Sequence, residues 1–388
     1  MEISSSIAFL LSAGIVIYVL AGFPLLAALI ASRRPRPVRK ERQRRSVTVV
    51  LPVRNGELWI RAKLETLLRL NYPPELLQIL VVSDGSTDLT DDIVRDYAAD
   101  DVQLIRIPQG GKAAALNAGM ARAKGEILFF NDVRQELDPD CLWRLVECFG
   151  DPSVGVVSGD LIIRKPGSKE QANIGLYWRY EKWIRDRLSA IDSMMGATGC
   201  IYAMRRRLAV PLPPGTLLDD VYLPLAAFFR GYRVIVERTA KAYDEPTDLG
   251  PEFLRKVRTL AGVYQIVRAY PALLSPAHRM WLYFVSHKIG RLLLPHALIV
   301  MAVSSFVLPG IWAELAVGAQ AVFYLCFGVD RWIPEGWPVK PLTSAARTFV
   351  VLMAAAFCAV PSFLFGGLDL WTETRIPTAV RSAEAHVK

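Results

Sequence analysis

The residues of this chain best placed for chemistry are aspartates that follow short apolar runs. Ile127 to Phe130 has the length of a buried strand and stops abruptly at Asn131, Asp132 and Arg134. In an open α/β sheet the ligand lies beyond the carboxyl ends of the strands, so an acid placed there faces a ligand rather than the core. Asp132 is therefore the first candidate. An earlier run ends in Asp84-Gly85-Ser86-Thr87-Asp88, and the first of all runs into Pro52, Val53, Arg54 and Asn55. A turn with a helix cap would also use Asp, Gly and Ser, and for Asp84 to Asp88 alone that reading suffices. Three polar strand ends at one edge of a parallel sheet would instead line one pocket.

Two further groups carry charge into the same region. Gly110-Gly111-Lys112 opens an alanine-rich segment, which leaves backbone N–H groups and an ammonium where a phosphate can be met. The GxxxxGK[ST] spacing is missing, which disfavours NTP hydrolysis. Leu218-Asp219-Asp220 sets adjacent carboxylates at a helix start, where they can be caps on a favourable dipole. All 4 histidines lie at position 278 or later, so acid–base work in the α/β region falls to a carboxylate. Arg255 and Arg258 stand three apart in an amphipathic segment, Glu252 to Tyr270. On a helix they would share roughly one side, to clamp a diphosphate together or to face lipid headgroups.

The elements that position these groups follow from periodicity. Strands are expected at Val47 to Leu51, Gln78 to Ser83, Val102 to Ile107, Ile127 to Asp132 and Val154 to Ile163. Helices are expected at Leu58 to Leu70, Asp88 to Tyr97, Lys112 to Ala123 and Tyr177 to Leu188, and a glycine-bearing turn, Met195 to Tyr202, leads into another strand. Such alternation implies an α/β fold with a mostly parallel, helix-covered sheet.

The chain has 388 residues, 52% of them hydrophobic, enough for this domain and a membrane region. Ile7 to Ala31 carries no charge and is long enough to cross a hydrocarbon core of about 30 Å as an uncleaved anchor. Arg33 to Arg45 holds eight basic residues and one acid, +7 of the chain's net +9. By the positive-inside rule this flank is expected in the cytoplasm, with the amino terminus outside. The remainder is near neutral, so nucleic acid is not an expected partner and anionic headgroups are. Leu292 to Pro309, Trp312 to Gly328 and Phe349 to Leu370 are further span candidates. Cysteines 141, 148, 200, 326 and 358 show no ligand spacing and fit reduced thiols. The expected units are an anchor with basic linker (1–45), an α/β domain (46–250), interfacial helices (251–290) and a membrane region (291–388).

Taken in order, these motifs resemble the membrane-integrated family 2 glycosyltransferases, the group of hyaluronan, cellulose and poly-N-acetylglucosamine synthases. The resemblance covers roughly Ser46 to Tyr270. It implies a Rossmann-like GT-A domain, cytoplasmic at the plasma (inner) membrane, and a UDP-sugar donor. By resemblance, Pro52, Arg54, Asn55 and Asp84 belong to the nucleotide loops, with Asp84 on the uracil or ribose, and Lys112 stands beside the nucleotide. Asp132 falls on the first acid of the DxD motif, which implies a Mg²⁺ or Mn²⁺ ion. Gly196, Thr198 and Gly199 match the turn that frames the acceptor, with Asp219 beside it, and Asp220 matches the catalytic aspartate of the TED-type motif. Arg255 and Arg258 fall on the (Q/R)xxRW motif.

The chain departs from the pattern twice. Arg134 replaces the second acid of DxD, and Thr259 replaces the tryptophan that packs near the acceptor sugar in processive synthases. The expected reaction is inverting transfer to a glycan or lipid-linked glycan. Transfer of one sugar to a lipid such as polyprenyl phosphate, or a degenerate nucleotide-binding partner of another synthase, are the alternatives.

Overall fold

The computed structural model describes residues 2–164, 169–246 and 249–365. Helices α1 (Glu2–Ile17) and α2 (Phe23–Arg33) continue one another through a π turn at Tyr18–Gly22, and an extended linker leads to β1 (Val47–Val53). There follow α3 (Ile60–Leu68), β2 (Leu77–Asp84), α4 (Thr90–Arg95), β3 (Val102–Ile107), α5 (Lys112–Arg122), β4 (Ile127–Asn131), β5 (Glu136–Leu137) and α6 (Cys141–Glu147). Next come β6 (Val154–Ile163), α7 (Lys169–Ile191), β7 (Ile201–Arg205), α8 (Asp219–Phe229), β8 (Arg233–Asp244) and α9 (Leu249–Ala269). The described chain closes with α10 (Trp281–Phe284), α11 (Gly290–Ser305), α12 (Ile311–Val329) and α13 (Lys340–Phe365).

One mixed sheet of 8 strands runs in the order β3-β2-β1-β4-β7-β6-β8-β5. β3, β2, β1 and β4 are parallel, β7 is antiparallel to both its neighbours, and β8 is parallel to β6 with β5 antiparallel at the far edge. The α/β class expected from the alternation is the class observed. Strands buried on both faces read as continuous apolar runs, and successive residues serve opposite layers. Val50, Leu128 and Phe130 pack with α5, α7 and α8, whereas Val49, Leu51 and Phe129 pack with α3 and α6. Phe23 and Ala27 of α2 join the first layer, so the amino-terminal helix is part of the domain's core.

Four helical stretches are long and apolar enough to cross a membrane: Ile3–Arg33, Trp281–Ser305, Ile311–Trp332 and Lys340–Leu364. The second begins well before the expected Leu292, because His287, Lys288 and Arg291 interrupt the apolar pattern without ending the helix. Two of them face a polar partner inside the protein, His287 and Arg291 both reaching Glu181 of α7. The last stretch begins at Lys340 rather than Phe349, with the Lys340 ammonium 3.1 Å from buried Asp330. Residues 366–370 of the expected span lie outside the described residues.

Much of the basic linker lies against the α/β domain. Arg36 pairs with Asp192, Lys40 with Glu237, Arg44 with Glu75 and Arg45 with Glu126, while Arg42 stacks 4.6 Å from the Trp143 ring centroid. Buried Arg233 donates to the carbonyls of Arg36, Ser189 and Asp192 at 2.8–3.1 Å. Much of the run's charge is thus answered by the α/β domain itself.

The central strand is held by a close approach at its start. The Gly125 N–H donates to Thr48 Oγ1 at 2.9 Å, and a Cβ there would lie 2.5 Å from the Thr48 nitrogen. Because the obstacle is backbone, Gly125→Ala is expected to destabilise the protein by about 1–3 kcal/mol, an overpacking penalty. The check is a lowered unfolding temperature in detergent; an unchanged value would show that β1 and β4 can part without loss.

Candidate functional site

The carboxyl ends of β1, β2 and β4 open on a cavity of about 1030 Å³ whose far walls come from α7, α8, α9, α11 and α13. Lys112, the first residue of α5, follows Gly111 at φ +82°, a backbone setting that suits glycine. This turn aims the ammonium into the cavity, 3.0 Å from Asp132 Oδ1 and 3.3 Å from Asp219 Oδ1. Burial opposes the charge on Lys112, but Asp132, Asp219 and Asp220 outweigh it and hold the lysine protonated above its usual range.

Asp219 and Asp220 open α8, where the helix dipole favours negative charge. Gly196, at φ +132°, and Gly199 let the preceding turn lie against them: a Cβ on Gly199 would sit 3.1 Å from Asp220 Oδ2. The Ala197 N–H donates to the Asp220 carbonyl at 2.6 Å, and the Thr198 N–H to Ser158 Oγ at 2.8 Å. Burial, with the Asp219 charge beside it, pushes the Asp220 carboxyl up to about 6, while Lys112 and Arg185 pull it down. Burial also raises Asp219, against the pull of Lys112. Asp220 is thus a carboxylate of raised basicity facing an open space, which is what proton abstraction near neutral pH requires.

Of the residues singled out in the sequence, Pro52, Arg54, Asp84, Lys112, Asp132, Arg134, Gly196, Thr198, Gly199, Asp219, Asp220, Arg255 and Arg258 all line this cavity. Their bonding differs from expectation in four places. The Gly110 and Gly111 N–H groups are not free for a phosphate, since both donate to the Asp84 carboxylate at 2.6–3.2 Å. Asn55 is not on the lining; its carboxamide oxygen accepts from the Thr87 N–H at 2.9 Å and its own N–H donates to Ser86 Oγ at 3.1 Å, which joins the first two strand-end loops. Arg255 is paired with Glu252 and stacked 5.3 Å from Trp178, whereas Arg258 stands in the field of Asp220, Asp132 and Asp219. The two arginines share a cavity, and one of them already has a carboxylate partner.

The fourth difference concerns a metal. Arg134 pairs with Asp244, whose carboxylate also accepts from Gln135 Nε2 at 2.9 Å and from the Glu245 N–H at 2.9 Å. Among the described residues no group of three or more His, Cys, Asp or Glu converges on one point. Asp132 offers one carboxylate, already 3.0 Å from an ammonium. This donor set does not fit a resident Mg²⁺ or Mn²⁺ ion.

Sequence reasoning missed Asp244 and Tyr202. Asp244 obeys the rule that revealed Asp132, an acid at a strand end, and assigning β8 would have found it. Tyr202, stacked 4.7 Å from Phe130 beneath the aspartates, is held well above its usual pKa by burial and by Asp219, Asp220 and Asp132. Its place depends on β7 pairing next to β4, which nothing local announces.

Residues 48–210 match Glycosyl transferase family 2. Among curated proteins, the Probable glycosyltransferase YdaM of Bacillus subtilis (strain 168) is 32% identical over 120 residues, 29% of this chain and 29% of that one. The Poly-beta-1,6-N-acetyl-D-glucosamine synthase of Staphylococcus aureus (strain COL) is 25% identical over 241 residues, 57% of this chain and 55% of that protein. The chain therefore spans between about a third and about half of these relatives. Among solved structures, the mannosyltransferase PcManGT from Pyrobaculum calidifontis, in complex with GDP-Man and Mn2+, superposes with a TM-score of 0.72 at 21% identity, covering 93% of this chain and all of that one. That likeness speaks to the fold.

Arg134→Asp would add an acid two residues after Asp132 and strip Asp244 of its partner. Breaking such a buried pair typically costs about 3–5 kcal/mol. The expected outcome is a lower unfolding temperature that Mn²⁺ restores, with the wild type indifferent to Mn²⁺. Equal Mn²⁺ responses in the two proteins would refute this account of Arg134.

Proposed function

Starting from a chain that carries a family 2 glycosyltransferase domain on a GT-A fold, we propose that it transfers a sugar, with inversion, from a UDP-sugar to a hydroxyl of a glycan or lipid-linked glycan. The observation that supports this best is the meeting, around one cavity, of Asp84, Lys112, Asp132 and the half-buried base candidate Asp220.

The donor lies along the strand ends with its diphosphate toward Lys112 and Arg258. Asp220 accepts the proton of the acceptor hydroxyl as that oxygen attacks the anomeric carbon, and the bond to the diphosphate breaks on the opposite face. Negative charge grows on the leaving diphosphate, and preorganised cations in a closed site stabilise it more than water would. Lys112 suits this because its charge is secured by the aspartates before substrate arrives.

The run Arg33 to Arg45 supports a cytoplasmic domain at the inner membrane. Thr259, in the place of the family's tryptophan, and only three membrane-length helices described after the α/β domain favour short additions over a polymer threaded through the membrane.

The test is a screen of UDP-sugars for stimulated UDP release by the purified protein in lipid, followed by mass analysis of the product. Asp220→Asn is expected to lower turnover by about 10²–10⁴-fold, the usual worth of a general base, with UDP affinity retained in calorimetry. Near-normal turnover in that variant would remove Asp220 from the role, and equal, negligible release from both proteins would favour a nucleotide-binding partner without catalysis.

A second prediction follows from charge. Asp220 works only when ionised, so kcat/KM is full above its pKa and falls as pH drops through about 6. Asp219→Asn removes the adjacent negative charge that raises Asp220, so the acidic limb of the pH profile is expected to move to lower pH. A limb that stays in place or moves up would contradict the coupling of the two aspartates.

A further inference from the structure

Past Asp220 the cavity runs on between α7, α9 and two of the membrane-length helices, and its chemistry changes. Arg185 and Lys256 enter from the domain side, Lys288 and Arg291 from the stretch Trp281–Ser305, and Leu352 and Met353 from the stretch Lys340–Leu364. Arg291 is paired with Glu181 at 2.7 Å, and Lys256 lies 3.6 Å from Glu252, which Arg255 also engages. Arg185 touches the Ser158 hydroxyl at 3.3 Å, and among the described residues neither Arg185 nor Lys288 has an ion-pair partner. The buried Trp178 indole N–H, on the same wall, has no hydrogen-bond acceptor among the described residues.

Arg185 and Lys288 share the field of Glu181 and Asp220 with Lys256 and Arg291, so cations outnumber carboxylates on this wall, which suits a ligand that brings negative charge and oxygen acceptors. The donor diphosphate does not fill that need, because its cations, Lys112 and Arg258, stand at the aspartates. The walls here are membrane-length helices. Lys288 is seven residues into its stretch, about 10 Å from the end at 1.5 Å per residue, so it stands nearer one end of a membrane-length helix than its middle. Basic pockets between membrane helices are a known means of holding anionic headgroups.

We propose that the acceptor is a phosphate-bearing lipid, its phosphate between Arg185 and Lys288, its chain along Leu352 and Met353, and a headgroup hydroxyl at Asp220. This rests on the transferase reading and narrows its acceptor. The headgroup oxygen forms the new bond to the anomeric carbon, its proton passes to Asp220, and the bond to UDP breaks with its electron pair on the diphosphate.

The test uses the full-length protein in neutral detergent and two readouts. In the first, native mass spectrometry compares retention of phosphatidylglycerol, which has a phosphate and free hydroxyls, with diacylglycerol, which has a hydroxyl and no phosphate. Retention of phosphatidylglycerol is expected to be at least tenfold higher, lost in Arg185→Gln with Lys288→Gln and kept in Arg185→Lys with Lys288→Arg. Equal retention of the two lipids, or no change in the glutamine variant, overturns the proposal. In the second, labelled sugar is offered with phosphatidylglycerol, phosphatidylinositol and a polyprenyl-diphosphate sugar, against diacylglycerol, an alkyl glycoside and glycerol 3-phosphate. Label entering the phosphate lipids, with an acceptor KM raised about tenfold and a donor KM unmoved in the glutamine variant, supports the assignment. Label entering the neutral lipids or the soluble phosphate equally well overturns it while leaving the Asp220-dependent transferase intact. If no UDP-sugar is turned over, the transferase reading fails, and the lipid assignment falls with it.

Discussion

The ammonium of Lys112 is what keeps the aspartates together. Asp132 ends a strand, Asp219 and Asp220 begin a helix some ninety residues later, and without a cation among them their mutual repulsion in a buried space would drive them apart or protonate them. The lysine can hold that position because Gly111 turns the chain into α5 and because Asp84 ties down the N–H groups of the same turn. Strand end, glycine turn and helix start are therefore parts of one electrostatic arrangement, and the sheet order that brings β4 beside β7 exists around it.

Arg134 extends the same logic to the next layer. Where the resembling family places an acid, this chain has a guanidinium bonded to Asp244, so the wall of the cavity is made of internal ion pairs rather than of carboxylates awaiting a metal. Under the proposed reading, positive charge near a donor diphosphate would then be supplied by side chains fixed in the fold. Such an arrangement is always present, whereas an ion must be recruited.

Much of this was legible in the sequence because parallel strands buried on both faces advertise themselves as apolar runs, and their polar ends fall where ligands bind. Asp132, Asp84, Lys112 and Asp220 were found in that way or through the family motif, and all line the cavity. What remained hidden depends on pairing over distance. Asp244 becomes visible only when β8 lies along β6, and Tyr202 only when β7 turns antiparallel beside β4. The partners of charged groups were equally hidden: an arginine-rich linker reads as lipid-seeking until Asp192, Glu237, Glu75 and Glu126 are seen beside it. Likewise, His287 and Arg291 read as the end of a membrane span until Glu181 is seen to receive them.

Because one wall of the cavity is built by α11 and α13, its shape is shared property of the α/β domain and the membrane-length helices. A fragment excised at the end of the sheet region would keep the strand-end loops with Asp84, Lys112 and Asp132 and lose the wall that α11 and α13 supply. On the proposed reading it would report on donor recognition but not on the choice of acceptor.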